Sequence, residues 1–161
     1  PRSPHFRAQL GGVFANMAPL LEEHDPQRAS DFYRRAILHQ QHAVERSPSI
    51  LDFRLWLSSS YVKFARWLRR QGESDAAGRL AKWRRELWAT DPERLYRVAI
   101  EFAETAAIAT ETDQKETWSR EAAQTWRTAV ELGLKDAASK RNDDAFAILR
   151  DNPRIDFVDA S

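Results

Sequence analysis

The sequence predicts an all-α chain built of antiparallel helical hairpins. Three observations lead there. Apolar residues recur at steps of three and four in six separate segments. Gly and Pro are scarce, five and seven in 161 residues, and the prolines fall mostly at segment boundaries. Strand signals are nearly absent: β-branched runs are short and no Asn-Gly or Asp-Gly hairpin turn occurs.

The first helix is expected from about Phe6 to Glu22, with Leu10, Phe14, Met17 and Leu21 as its apolar positions and Gly11, Gly12 and Pro19 weakening it. The second opens at Asp25-Pro26, a capping acceptor followed by proline at the first helical position. It carries Ala29, Phe32, Tyr33, Ala36, Ile37 and Val44 and stops near Ser47-Pro48. The third follows Ser49 to about Arg70 through Leu51, Leu55, Leu57, Tyr61, Phe64, Ala65 and Leu68, and Gln71-Gly72 ends it. Ser74 is expected to cap the fourth, which runs to about Ala89 through Ala77, Leu80, Ala81, Leu87 and Trp88. Thr90-Asp91-Pro92-Glu93 starts the fifth, with Leu95, Val98, Ala99, Phe102, Ala103 and Ala106. The sixth carries Trp118, Ala122, Trp126, Ala129, Val130 and Leu132, and Gly133 closes it. Short helices are expected near 137–140 and 143–150, with Pro153 stopping the last and the 155–161 tail unassigned.

These elements form one domain over 1–161, with hairpins at about 6–46, 50–89 and 93–133 and a capping segment over 134–161. With neither an initiator Met nor a signal-peptide pattern, the chain reads as a piece of a longer protein. It has no Cys, which excludes disulfides, Cys-ligated zinc and thiol chemistry and fits a cytoplasmic setting. No apolar run reaches membrane-spanning length.

A repeat is legible across the hairpins. Small residues sit where two helices would cross closely, with large ones beside them. Leu10-Gly11 and Phe14 with Ala29, Tyr33 and Ala36 make one unit. Phe64-Ala65 and Leu68 with Ala77 and Ala81 make the second, and Val98-Ala99 and Phe102 with Ala122, Trp126 and Ala129 the third. Only the middle unit, from Ala65 to Ala77, has the standard tetratricopeptide (TPR) spacing.

On these residues the chain resembles the TPR-containing C-terminal regions of certain bacterial serine/threonine protein kinases. The segment Asp31-Phe-Tyr-Arg-Arg-Ala-Ile, before the helix ending at Ser47-Pro48, is similar to a recurring segment of that family. So are Leu95-Tyr-Arg-Val-Ala and the closing run of Ala129-Val-Glu-Leu-Gly-Leu-Lys-Asp-Ala, Asn142-Asp-Asp and Ile148-Leu-Arg-Asp-Asn-Pro-Arg-Ile-Asp-Phe. The first hairpin departs from the pattern by lacking the usual asparagine-rich helix start. The resemblance implies a TPR-like short solenoid of about three units and a parent that is a kinase. It places no kinase machinery in this chain: there is no Gly-rich phosphate loop, His-Arg-Asp or Asp-Phe-Gly segment.

Gly11-Gly12 reads as a close helix contact rather than a phosphate cradle. His39, His42 and Glu45 form a stripe that could bind a metal, but lacks a His-Glu-x-x-His pattern and reads as a solvated helix face. Glu22-Glu23 and Asp143-Asp144 fall at helix ends, with no nucleophile or base to make them catalytic. The six Trp, including Trp83, Trp88, Trp118 and Trp126, read mainly as packing rather than as a stacking platform. No catalytic residue, metal site or cofactor is therefore expected.

The electrostatic feature is regional. Residues 61–90 carry eight Lys/Arg against three Asp/Glu, whereas residues 91–161 carry ten against fifteen. Lys63, Arg66, Arg69, Arg70, Arg79, Lys82, Arg84 and Arg85 make the basic hairpin. Within it Lys63, Arg66 and Arg70 form a stripe at steps of three and four. In the TPR register this stripe and Tyr96 and Arg97 of the next unit face one groove. The expected function is a protein–protein interaction module, with a protein or acidic peptide as partner. Self-association is kept open, and so is a regulatory or oligomerisation role in a kinase. The acidic final third argues against nucleic acid.

Overall fold

The structure is a computed structural model, and it describes residues 3–155 and 157. Its long helices are α1 Pro4–Leu21, α2 Pro26–Arg46, α3 Leu51–Arg70, α4 Ser74–Leu87, α5 Pro92–Ile108 and α6 Thr112–Glu131. Shorter turns follow: α7 Ala137–Lys140, a 3-10 turn Asp144–Phe146 and α8 Ala147–Arg150. No strand occurs among the described residues, and no helix among them is long and apolar enough to cross a membrane.

Local chemistry accounts for the boundaries. Asp25 Oδ1 accepts from the Arg28 amide at 3.0 Å, and Asp91 Oδ1 accepts from the Arg94 amide at 3.0 Å. Each is followed by proline, whose missing N–H costs nothing at the first helical position. Gly72 and Gly133 end α3 and the turn after α6 with φ of +77° and +87°, a region that side chains bearing a Cβ rarely adopt. The amides after them reach back, Glu73 to Leu68 O at 2.9 Å and Leu134 to Ala129 O at 3.0 Å, which satisfies carbonyls that the helix leaves open. Ser74 departs from expectation. It is the first helical residue and its buried hydroxyl donates to Gln114 Oε1 at 2.8 Å, while Glu73 occupies the cap position without a side-chain bond.

The chain divides into two compact units, residues 1–67 and 68–161. In the first, α1 and α2 form an antiparallel hairpin. Its close face on α1 is made of Ala8, Gly11, Ala15 and Ala18, all buried. A Cβ on Gly11 would lie 2.6 Å from Gln40 Cγ and 2.8 Å from the Ala36 carbonyl oxygen, so only glycine allows this approach. Phe14 meets Phe32 edge-on across the hairpin at 5.3 Å, and Tyr33 stacks on Phe64 of α3 at 5.0 Å.

In the second unit α5 and α6 form the main hairpin and α4 packs against α5. Leu95, Val98, Ala99, Phe102, Ala103 and Ala106 are all buried, as their spacing predicts. Phe102 stacks on Trp118 at 6.0 Å, and Gly78 of α4 lies so close to that indole that a Cβ would stand 2.4 Å from it. The closing segment docks on this hairpin. Phe146, Leu149, Ile155 and Phe157 are buried, and Trp126 lies 5.4 Å from Phe146 and 5.6 Å from Phe157. The rest of the 155–161 tail lies outside the described residues.

Candidate functional site

Lys63 and Arg66 belong to the first unit, and Arg70, Tyr96 and Arg97 to the second. Lys63 is half-buried near the end of α3. Its ammonium donates to Asn16 Oδ1 of α1 at 3.1 Å and has no acidic partner among the described residues. Arg66, one turn on, is exposed and likewise has none.

Lys63 edges a cavity of about 450 Å³. α1 supplies Gln9, Gly12, Val13 and Asn16 to its wall, α2 supplies Gln40, and α3 supplies Trp56, Ser59, Ser60 and Lys63. Val13 and Trp56 form an apolar lip, 52 % and 40 % exposed. Ala8 and Ala15 extend the apolar wall, and Gln9, Asn16, Gln40, Ser59, Ser60 and Lys63 add amide, hydroxyl and ammonium groups. A Cβ on Gly12 would meet nothing within 4 Å, so of the glycine pair only Gly11 makes the expected close contact. A few convergent polar groups beside an apolar lip can orient a chain that carries both apolar and acidic groups.

A larger recess of about 800 Å³ lies at the start of α2. Its charges are largely committed to the fold. Asp25 caps the helix, Asp31 pairs with Arg35 at 2.9 Å, and the Arg28 guanidinium lies 5.4 Å from the Phe32 ring centre.

In the second unit Tyr96 is held by its own surroundings. Its hydroxyl donates to Asp143 Oδ2 at 2.9 Å, its ring lies 6.1 Å from Trp126, and Lys140 sits over the ring face at 5.1 Å. Burial and the Asp143 hydrogen bond push its pKa up to about 12. Arg97 beside it is exposed, as is Arg70.

Four cations of the basic hairpin are neutralised within this unit. Arg69 pairs with Glu104 at 2.6 Å, Lys82 and Arg85 share Glu121 at 2.8 and 2.6 Å, and Arg84 pairs with Glu101 in the interior. Burial lowers the Arg84 pKa, with the Glu101 charge opposing. Burial alone would raise the Glu121 carboxyl, but hydrogen bonds from Lys82 and Arg85 together hold it below the usual carboxylate range.

The other candidate groups also have structural roles. His39 is not solvated: it is half-buried and stacks on Phe14 at 5.8 Å, while His42 pairs with Glu45 at 3.6 Å. Glu22 accepts from the Tyr33 hydroxyl at 2.6 Å, and Asp143 caps the 3-10 turn through the Ala145 amide at 3.0 Å. Among the described residues no three His, Asp or Glu side chains converge as a metal ion requires. Compared with protein-family models, curated proteins and solved structures, the chain matches none.

Proposed function

We propose that the chain is a protein–protein interaction module of TPR-like design, an accessory region of a larger signalling protein, whose first unit binds acidic peptide segments. One observation carries this reading. Arg69, Lys82, Arg84 and Arg85 of the basic hairpin are spent on internal acids, whereas Lys63 and Arg66 have no acidic partner among the described residues, and Lys63 borders an open cavity with an apolar lip. A bound segment lays an apolar side chain against Val13 and Trp56 and a carboxylate near Lys63. The TPR register is supported by the burial of all nine small residues that the sequence assigns to helix crossings: Gly11, Ala29, Ala36, Ala65, Ala77, Ala81, Ala99, Ala122 and Ala129. Membership of a kinase parent rests on the sequence resemblance alone.

The test is fluorescence anisotropy with a labelled peptide library in which glutamates flank a single apolar residue. Binding is expected to weaken as salt rises, because both cations are near solvent. The pair Lys63→Glu with Arg66→Glu should leave the melting temperature nearly unchanged and lower affinity at least about tenfold, the scale of removing one or two charge-assisted contacts. Undiminished binding by the folded double variant would refute the assignment.

A further inference from the structure

The cavity beside Lys63 holds two polar groups that the fold leaves unused. Gln40 of α2 and Ser60 of α3 both line it, and each is 1 % exposed. Among the described residues Gln40 Oε1 and Ser60 Oγ have no hydrogen-bond partner. Other helical hydroxyls are satisfied locally: Thr105 and Thr125 donate to the carbonyls of Glu101 and Glu121, one turn back, each at 2.7 Å. Ser60 makes no such bond to the carbonyl of Trp56. Both groups are nevertheless held in place. The Gln40 stem crosses Gly11, where a Cβ would stand 2.6 Å from its Cγ. One residue further along each helix, Gln41 Nε2 donates to the Tyr61 hydroxyl at 2.9 Å and ties α2 to α3. A buried acceptor and a buried hydroxyl without partners destabilise the folded chain, and apolar residues of the same shape would not.

We infer that Gln40 and Ser60 read a side-chain carboxamide, a glutamine or asparagine of the bound segment. Hydrogen-bond chemistry selects it. Gln40 Oε1 needs a donor, and the Ser60 hydroxyl supplies one. A carboxamide carries both complements: its N–H donates to Gln40 Oε1 and its carbonyl accepts from Ser60. A carboxylate has acceptors only, so it opposes the Gln40 oxygen and stays with Lys63 at the edge. An ammonium would be brought beside the Lys63 ammonium. An apolar side chain leaves both groups unpaired. A serine hydroxyl offers a donor and an acceptor on a one-carbon stem, too short to reach groups buried beneath the cavity edge. This inference rests on the reading of the cavity as a peptide site: Lys63 attracts the acidic segment, and Gln40 and Ser60 specify the residue that enters beside the carboxylate.

Fluorescence anisotropy tests it with labelled peptides in which glutamates flank a Leu-Gln or Gln-Leu pair, and with controls in which Met, Glu or Ser replaces the Gln. The better Gln peptide should bind about tenfold more tightly than its Met control, the scale of two buried hydrogen bonds. Gln40→Met should abolish that preference while the Met control binds as before, with the same salt dependence. Its melting temperature should not fall, because an unbranched apolar chain of similar length replaces an unpaired acceptor. Ser60→Ala removes the other partner without adding bulk and should reduce the preference by itself. Equal binding of the Gln and Met peptides, a preference that survives both variants, or Glu or Ser peptides that bind as tightly as Gln would overturn the inference while peptide binding at Lys63 stood. Absence of salt-dependent binding by every peptide would overturn the inference together with the reading beneath it.

Discussion

Gly12 and Gly78 each sit inside a helix, yet their surroundings set opposite expectations for the same substitution. Gly12→Ala places a methyl in open space, so the gain in helix propensity is unopposed and stability should rise by about 1 kcal/mol. Gly78→Ala drives a methyl to 2.4 Å from a buried indole that has Phe102 stacked on it, so overpacking of about 1–3 kcal/mol should exceed that gain. Chemical denaturation of the two variants measures both signs. Glu121 supplies a pH test. Its carboxyl titrates below its unfolded value, so its contribution is present above roughly pH 4.3 and is lost as pH falls through the lower folded pKa. Glu121→Gln should therefore cost about 1 kcal/mol near neutrality, discounted for partial exposure. That difference should shrink under acid denaturation below about pH 4. A constant difference across the pH range would mean that the ion pairs with Lys82 and Arg85 contribute nothing.

At the scale of elements, caps and spacing were legible because they are local. Asp25-Pro26 and Asp91-Pro92 start helices where the sequence places them, and α5 buries every residue its periodicity nominates. α1 was misread. Its expected stripe of Leu10, Phe14, Met17 and Leu21 is divided: Phe14 packs against Phe32 of α2, whereas Met17 points to solvent. Large apolar residues dominate a sequence reading, but a close helix crossing is made by small ones, and here Ala8, Gly11, Ala15 and Ala18 form it. The same logic governs Ala77 and Ala122, each 0 % exposed. Ala77→Leu or Ala122→Leu should cost about 1–3 kcal/mol by forcing helices apart, and thermal melts like the wild type would refute the crossing positions.

For the molecule as a whole, charge was the feature least legible in linear order. The run over 61–90 looks like an exposed basic surface, but its acids lie 17 to 39 residues downstream, where only folding brings them together. Arg84 to Glu101 and Lys82 to Glu121 are the clearest cases. Lys63 and Arg66 stood out from the sequence only as two members of a longer stripe. Their distinction, a cation without an acidic partner beside a cavity, required three helices to be in place. The lip residues Val13 and Trp56 carried no recognisable sequence signal, since an apolar residue on a helix is ordinarily core. The central claim is that this cavity receives an acidic segment. An amide NMR titration of the chain with a glutamate-flanked peptide tests it most directly. Saturable shifts are expected, centred on Val13, Trp56, Ser59, Ser60 and Lys63 and suppressed at about 1 M salt, where screening reaches about 3 Å. Shifts confined to other residues, or shifts at these residues that persist unchanged in the Lys63→Glu, Arg66→Glu variant, would contradict it.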